Sequence, residues 1–282
     1  ERVRLVRGSH IVTKKLYDHD KCYFFQGEDG RIIFSIPYED DFTLLGTTDA
    51  DHDDASIKPV CTPEESRYLI GFANQYFKKT LTHDDIVWSY SGVRPLYNDG
   101  ASSATAATRD YVLKVNHSAG GPVLNVFGGK ITTYRRLAES ALELIDDEFK
   151  TQTKKWTAAA SMPGGDFPVE GIEDLRIELA EALPFLPTKT VIRLVKQYGS
   201  EAMAIFKDCN TFESLGSNFG NGVFQCELDW AIANEWVTHS EDFLWRRSKL
   251  GLRFSSAERK EINEYILRQV ENMHQIADTA SI

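Results

Sequence analysis

Pro122-Val123-Leu124-Asn125-Val126-Phe127-Gly128-Gly129-Lys130-Ile131-Thr132-Thr133-Tyr134 reads as a strand, a glycine turn and the start of a helix. The run from Val123 to Phe127 is short and, Asn125 apart, apolar, and reads as a buried strand. Two glycines break it. Ile131, Tyr134, Leu137, Ala138, Ala141, Leu142 and Ile145 then recur at helical spacing along one face.

Upstream of this unit, residues 1 to about 118 read mainly as strands. Arg2-Val3-Arg4-Leu5-Val6-Arg7 alternates, and residues 22–26, 31–36, 42–48 and 86–91 are β-rich runs bounded by polar turns, with Gly27-Glu28-Asp29-Gly30 as a hairpin loop. Thr62-Pro63-Glu64-Glu65 opens a helix with an N-cap, a proline at the first helical position and acids in the first turn; Leu69, Ile70, Phe72, Ala73 and Phe77 continue it. Downstream, residues 150–168 include Met162-Pro163-Gly164-Gly165 and show no apolar period, so they read as a linker. Helical patterns follow from about residue 169. The class is therefore α+β: a mixed β-sheet with a covering helix over 1–118, the strand-turn-helix unit over 119–155, and an all-α domain over 156–282. A chain that opens on Glu1 inside a strand also reads as part of something longer.

Composition narrows the function. With 282 residues, 42% hydrophobic and 26% charged, the chain is globular, neither disordered nor fibrous. No stretch approaches the roughly 20 apolar residues of a membrane-spanning helix. A formal charge of −10 argues against a whole-molecule field that gathers nucleic acid, so an anionic ligand must be caught locally. Residues 1–155 carry 20 basic and 23 acidic side chains, against 12 and 19 beyond, which directs that search to the first part. Cys22, Cys61, Cys209 and Cys226 lie far apart in sequence with no C-x-x-C pair, against a zinc site or a secreted disulfide framework, and fit reduced thiols in the cytoplasm.

Several motif resemblances fail on their chemistry. Asp49, Asp51 and Asp53 have calcium-loop spacing, but Asp54 stands where glycine is needed and Val60 where a bidentate Glu is needed, leaving a solvated acidic turn. His19-Asp20, His52-Asp53 and His83-Asp84 lack metal-ligand spacing and read as surface turns, so no metal site is predicted. Gly129-Lys130 imitates the end of a P-loop without its first glycine or its final hydroxyl residue. Gly220-Asn221-Gly222 continues with Val223, Phe224 and Gln225 rather than as a dinucleotide fingerprint, and reads as a loop before a helix. Gly164-Gly165-Asp166-Phe167 reads as a turn.

Three cations remain: Arg94 in Ser91-Gly92-Val93-Arg94-Pro95-Leu96, Arg109 in Thr108-Arg109-Asp110-Tyr111, and Lys130. Each sits at a strand end or helix start, where side chains converge on pockets. Two guanidinium forks, one ammonium and the free N–H groups of a helix start suit a small phosphate or carboxylate ester. Taken singly, each arginine is more often a partly exposed ion-pair member.

These segments, with Gly8-Ser9-His10-Ile11-Val12, Leu16-Tyr17-Asp18-His19-Asp20, Ile36-Pro37-Tyr38-Glu39-Asp40-Asp41-Phe42-Thr43, Gly46-Thr47-Thr48-Asp49, Phe127 to Arg135, Pro163 to Phe167, Glu227-Leu228-Asp229-Trp230-Ala231 and Asp242 to Gly251, resemble the aerobic FAD-dependent glycerol-3-phosphate dehydrogenases in order and spacing. The resemblance implies a substrate-binding cap over 1–118, a return to part of an FAD-binding domain over 119–155, and a helical C-terminal domain. The glycine-rich unit that cradles the FAD pyrophosphate is not in this sequence, which implies a fragment inactive by itself. The implied reaction takes sn-glycerol 3-phosphate to dihydroxyacetone phosphate, with hydride passing to FAD and electrons onward to quinone. Implied substrate-binding residues are Arg94, Arg109 and Lys130, with His10 and Arg94 as the catalytic pair; Gly128, Gly129, Lys130, Ile131 and Thr132 are the implied flavin contacts. The family setting is cytoplasmic, at the periphery of the inner membrane face, and leaves room for a homodimer. The one short basic patch, Arg246-Arg247 with Lys249 beside Trp245, is explained equally well by a solvated helix. Two alternatives stand beside this reading: an oxygen-using glycerol-3-phosphate oxidase, and a non-catalytic fragment serving as an interaction module.

Overall fold

The computed structural model describes residues 3–28, 30–98, 100, 109–118 and 120–280, without the side chains of 274 and 276–280. Glu1, Arg2, Asp29 and Thr108, quoted above, lie outside these. The chain divides into two units, Glu1–Ala159 and Ala160–Ile282.

The first unit is built on one long strand. β1 (Val3–Lys14) is followed by β2 (Tyr23–Gln26), β3 (Ile32–Tyr38), β4 (Phe42–Gly46) and the short β5 (Ala50–Asp51). Helix α1 (Pro63–Tyr76) comes next, then β6 (Ile86–Tyr97), β7 (Val112–Asn116), β8 (Val123–Phe127) and α2 (Tyr134–Phe149). The sheet runs β2-β3-β4-β1-β5, with β6 also paired to β1; β7 and β8 form a separate ribbon. The α+β class holds, and the mixed sheet is refined: every described pairing is antiparallel. Short turns such as Glu39-Asp40-Asp41 can join only antiparallel neighbours, and β2–β3, β3–β4 and β7–β8 are all hairpins.

Helix α1 forms where its sequence marks it. The Thr62 hydroxyl accepts from the Glu65 amide at 3.2 Å, and the Glu65 carboxylate accepts from the Thr62 amide at 2.9 Å. Its Leu69, Ile70, Phe72 and Ala73 pack on Ile11, Ile33 and Leu45 of the sheet to form the core of this unit. Loss of the cap by Thr62→Ala is expected to cost about 1 kcal/mol; urea denaturation reads it as a lower midpoint at unchanged slope.

Strand β8 is not the buried strand its composition predicts. Val123 and Val126, on opposite faces, are 47% and 48% exposed, because in a two-stranded ribbon neither face is fully covered. Along α2 the apolar stripe is likewise unburied: Tyr134, Leu142 and Ile145 are exposed.

The second unit contains α3 (Ile172–Ala182), α4 (Thr188–Tyr198), α5 (Ala202–Ile205), a hairpin of β9 (Asn218–Gly220) with β10 (Val223–Phe224), then α6 (Gln225–Asn234) and α7 (Ser256–Ala280). It is thus helical apart from one small hairpin, whose turn is the Gly220-Asn221-Gly222 read as a loop. Cys209 joins the core around Leu194 and Leu215, with Cys226 packed against it. Gly164-Gly165 is a turn, as expected: the Gly165 amide donates to the Met162 carbonyl, and the Gly164 carbonyl accepts from Ser200. A Cβ on Gly199, at φ +55°, would overlap that Gly164 carbonyl.

Candidate active site

Alternate residues of a strand share a face, and the pairing of β1 with β4 and β6 puts Gly8, His10, Gly46, Tyr90, Gly92 and Arg94 on one face of the sheet. Gly8 pairs with Gly92, and His10 lies between Gly46 and Tyr90. The glycines make the room. A Cβ on Gly8 would overlap the Arg94 guanidinium, and one on Gly46 would overlap the His10 ring, whereas a Cβ on Gly92 would meet only open space. The His10 imidazole stacks on Tyr90, ring centroids 4.9 Å apart and 5° from parallel.

Arg94 Nη1 donates to Asp49 Oδ1 at 2.9 Å and Nη2 to Thr47 Oγ1 at 3.2 Å. Arg109 Nη2 donates to the second Asp49 oxygen at 3.1 Å. The two arginines, 45 and 60 residues from Asp49 in sequence, therefore meet on its carboxylate. Arg94 and Arg109 also line, with Gly129 and Lys130, a cleft of about 440 Å³. All three cations singled out from the sequence face the same space.

The remaining expected residues are placed less uniformly. His10 shares the sheet face with Arg94 but does not line the cleft. Burial, with the charge of Arg94 adding to it, lowers its pKa to about 4, and Nδ1 has no hydrogen-bond partner among the described residues. Near neutral pH the ring is uncharged. Gly128 and Gly129 have φ +69° and +102°, where glycine is favoured. A Cβ at the first would lie 3.0 Å from the Asp110 carbonyl oxygen and at the second 3.1 Å from Leu137. Of the amides expected to face a flavin, that of Lys130 already donates to Thr133 Oγ1 at 3.2 Å. Ile131 and Thr132 are exposed, and neither lines the cleft.

Two sequence expectations change. Asp49 is no solvated acidic residue; its side chain is 16% exposed and serves both arginines. His52 is buried rather than on the surface, with Nε2 3.0 Å from the Ile57 carbonyl oxygen. The residues that sequence reasoning missed are Asp49, Thr47 and Tyr90. Thr47 and Asp49 belong to a quoted motif, but nothing in its spacing reveals their partners.

Residues 1–135 match the family described as FAD dependent oxidoreductase, and residues 155–274 match the C-terminal domain of alpha-glycerophosphate oxidase. The two matched segments together take in most of the chain. It is 40% identical over 273 residues to a glycerol-3-phosphate dehydrogenase of Pseudomonas aeruginosa, covering 96% of this chain and 53% of that protein. It is 37% identical to the aerobic glycerol-3-phosphate dehydrogenase of Escherichia coli (98% and 55%) and 38% identical to a D-erythritol 1-phosphate dehydrogenase of Brucella abortus (93% and 52%). The chain thus spans about half the length of the curated relatives it matches. A solved glycerol-3-phosphate dehydrogenase from Bacillus halodurans, complexed with FAD, shares the fold at TM-score 0.70 and 23% identity, over 94% of this chain and 56% of that one.

Proposed function

We propose that this chain forms the substrate-binding part of an FAD-dependent dehydrogenase that oxidises sn-glycerol 3-phosphate to dihydroxyacetone phosphate and passes electrons to a quinone. The observation that carries the reading is the convergence of Arg94, Arg109 and Lys130 on one cleft beside a bare glycine turn. The cations bind the phosphate; Gly129 leaves backbone exposed on the cleft wall, which suits the close approach of a planar ring. FAD supplies the hydride acceptor for C2 when bound, its pyrophosphate held by a glycine-rich segment of a kind this sequence does not contain. His10 takes the hydroxyl proton released as the hydride leaves, so alcohol becomes ketone with one proton and one hydride accounted for.

No helix among the described residues is long and apolar enough to cross a membrane. The basic patch has local partners: Arg246 pairs with Asp242 at 2.7 Å, Arg247 donates to the Glu235 carbonyl and Lys249 to that of Arg246. These bonds favour the solvated-helix reading of the patch over a membrane contact.

The test is anaerobic titration of the complete FAD-loaded enzyme with sn-glycerol 3-phosphate, with erythritol 1-phosphate in parallel. Bleaching of the flavin by the glycerol ester is expected. Arg94→Ala should raise KM about 10- to 100-fold, the worth of charge-assisted hydrogen bonds to phosphate. Persistent yellow colour with glycerol phosphate, or an unchanged KM in the variant, would refute the substrate or the cleft respectively. Reoxidation by a quinone analogue much faster than by oxygen would separate a dehydrogenase from an oxidase.

A further inference from the structure

Asp49 lies against the two arginines of the cleft yet carries the charge that repels a phosphate, so its place beside them needs a reason. We infer that Asp49 is a positioning residue that locks Arg94 and Arg109 into a single anion-binding fork; the inference rests on the phosphate cleft proposed above. Three observations lead to it. Each oxygen of one carboxylate takes one guanidinium, at 2.9 and 3.1 Å. Like charges otherwise repel, and the shared carboxylate is what holds the two guanidinium groups side by side. The segment bearing Asp49 is itself anchored from behind. Thr48 Oγ1 donates to Glu65 Oε1 at 2.7 Å and accepts from the Ser9 amide at 2.9 Å, and the Thr48 amide donates to the Ser9 carbonyl at 3.3 Å. Glu65 is buried and pairs with Arg7 at 3.2 Å. Asp49 thus reaches the two arginines from a stretch fixed to β1 and α1.

Each guanidinium has five N–H groups, and after its bond to Asp49 it keeps others for the ligand. What Asp49 removes is freedom: a fork aimed in advance loses less entropy on binding than two mobile side chains. Positioning and simple attraction predict opposite signs. Asp49→Asn makes the cleft more positive, so attraction alone would tighten anion binding; loss of the lock would weaken it.

The experiment measures, on the complete FAD-loaded enzyme, KM for sn-glycerol 3-phosphate, Ki for inorganic phosphate as competitor, and kcat. Asp49→Asn is expected to raise both KM and Ki about 10-fold or more, on the scale of one charge-assisted hydrogen bond, while kcat moves far less. Asp49→Glu keeps the charge but shifts the lock by one methylene, and should fall between the two. It also serves if the Asn variant fails to load FAD. An unchanged or lower Ki in Asp49→Asn, or a kcat loss with KM and Ki intact, overturns the positioning role. If Arg94→Ala weakens phosphate while neither Asp49 variant does, this inference fails and the cleft stands; if Arg94→Ala has no effect either, both fail.

Discussion

Truncation of Glu227 to alanine is expected to destabilise the helical unit by about 3–5 kcal/mol, the usual cost of breaking a buried ion pair from one side. Glu227 is fully buried. Its two oxygens accept from Arg193 Nη1 at 2.6 Å and Nη2 at 2.8 Å, and Oε1 also accepts from the Tyr198 hydroxyl at 2.9 Å. Arg193 Nη2 further donates to the Gly222 carbonyl at 2.7 Å, which ties the β9–β10 turn to α4 and α6. Burial first, then the negative charge of Glu227, pushes the Tyr198 phenol well above its ordinary range, so it remains a proton donor here. Removing the carboxylate strands a guanidinium whose Nε already lacks a partner among the described residues. The severe outcome comes from that orphaned charge, not from the worth of the pair, so a second substitution should relieve it. Glu227→Leu with Arg193→Met is expected to recover much of what either loses alone. Chemical denaturation of the single and double variants decides the matter; a loss below about 1 kcal/mol in Glu227→Ala would mean that water reaches the site and solvates Arg193.

The legible parts of this chain are those whose cause is local. The Thr62 N-cap, the acids of the first turn and the glycine turn before Lys130 depend on neighbours within a few residues, and the sequence displays them directly. Arg94, Arg109 and Lys130 could be picked out by their locally unusual company, and the structure does bring them to one cleft, with Arg94 lying inside β6 rather than at a strand end as expected. Their partner could not. Asp49 meets Arg94 and Arg109 across 45 and 60 residues of chain, so its neighbourhood in sequence shows only other acids and invites comparison with a calcium loop. Glu227 and Arg193 are hidden in the same way, 34 residues apart, although the segment around Glu227 carries part of the family resemblance. Burial was misread for a different reason. Apolar composition marks Val123 to Phe127 as a strand but says nothing of what covers it. A two-stranded ribbon leaves Val123 and Val126 exposed on opposite faces.

His10 carries the other large effect. In the complete enzyme, His10→Gln is expected to lower kcat by about 10²- to 10⁴-fold, the range for removal of a positioned general base. The pH dependence makes that test specific to proton transfer. Burial, and after it the charge of Arg94, holds the imidazole pKa at about 4 against an ordinary 6.5. The unfolded chain takes up its proton near 6.5 and the folded chain only near 4, so the folded state is fully favoured above 6.5 and loses ground across that interval as pH falls. The loss is roughly 3 kcal/mol at most, and His10→Gln abolishes it; the stability difference between the two proteins, followed by urea denaturation from pH 7 to 4, isolates it from the acid residues. Substrate changes the balance. A phosphate dianion seated on Arg94 offsets the cation that helps to depress His10, so the ring becomes more basic once the ligand is bound, though burial still holds it below its solution value. The acid limb of kcat, which reports the bound enzyme, should therefore lie at higher pH than the acid limb of kcat/KM, which reports the free enzyme. Both limbs should vanish in His10→Gln. Coincident limbs that survive the substitution would move the base elsewhere and leave His10 as a ring that packs on Tyr90.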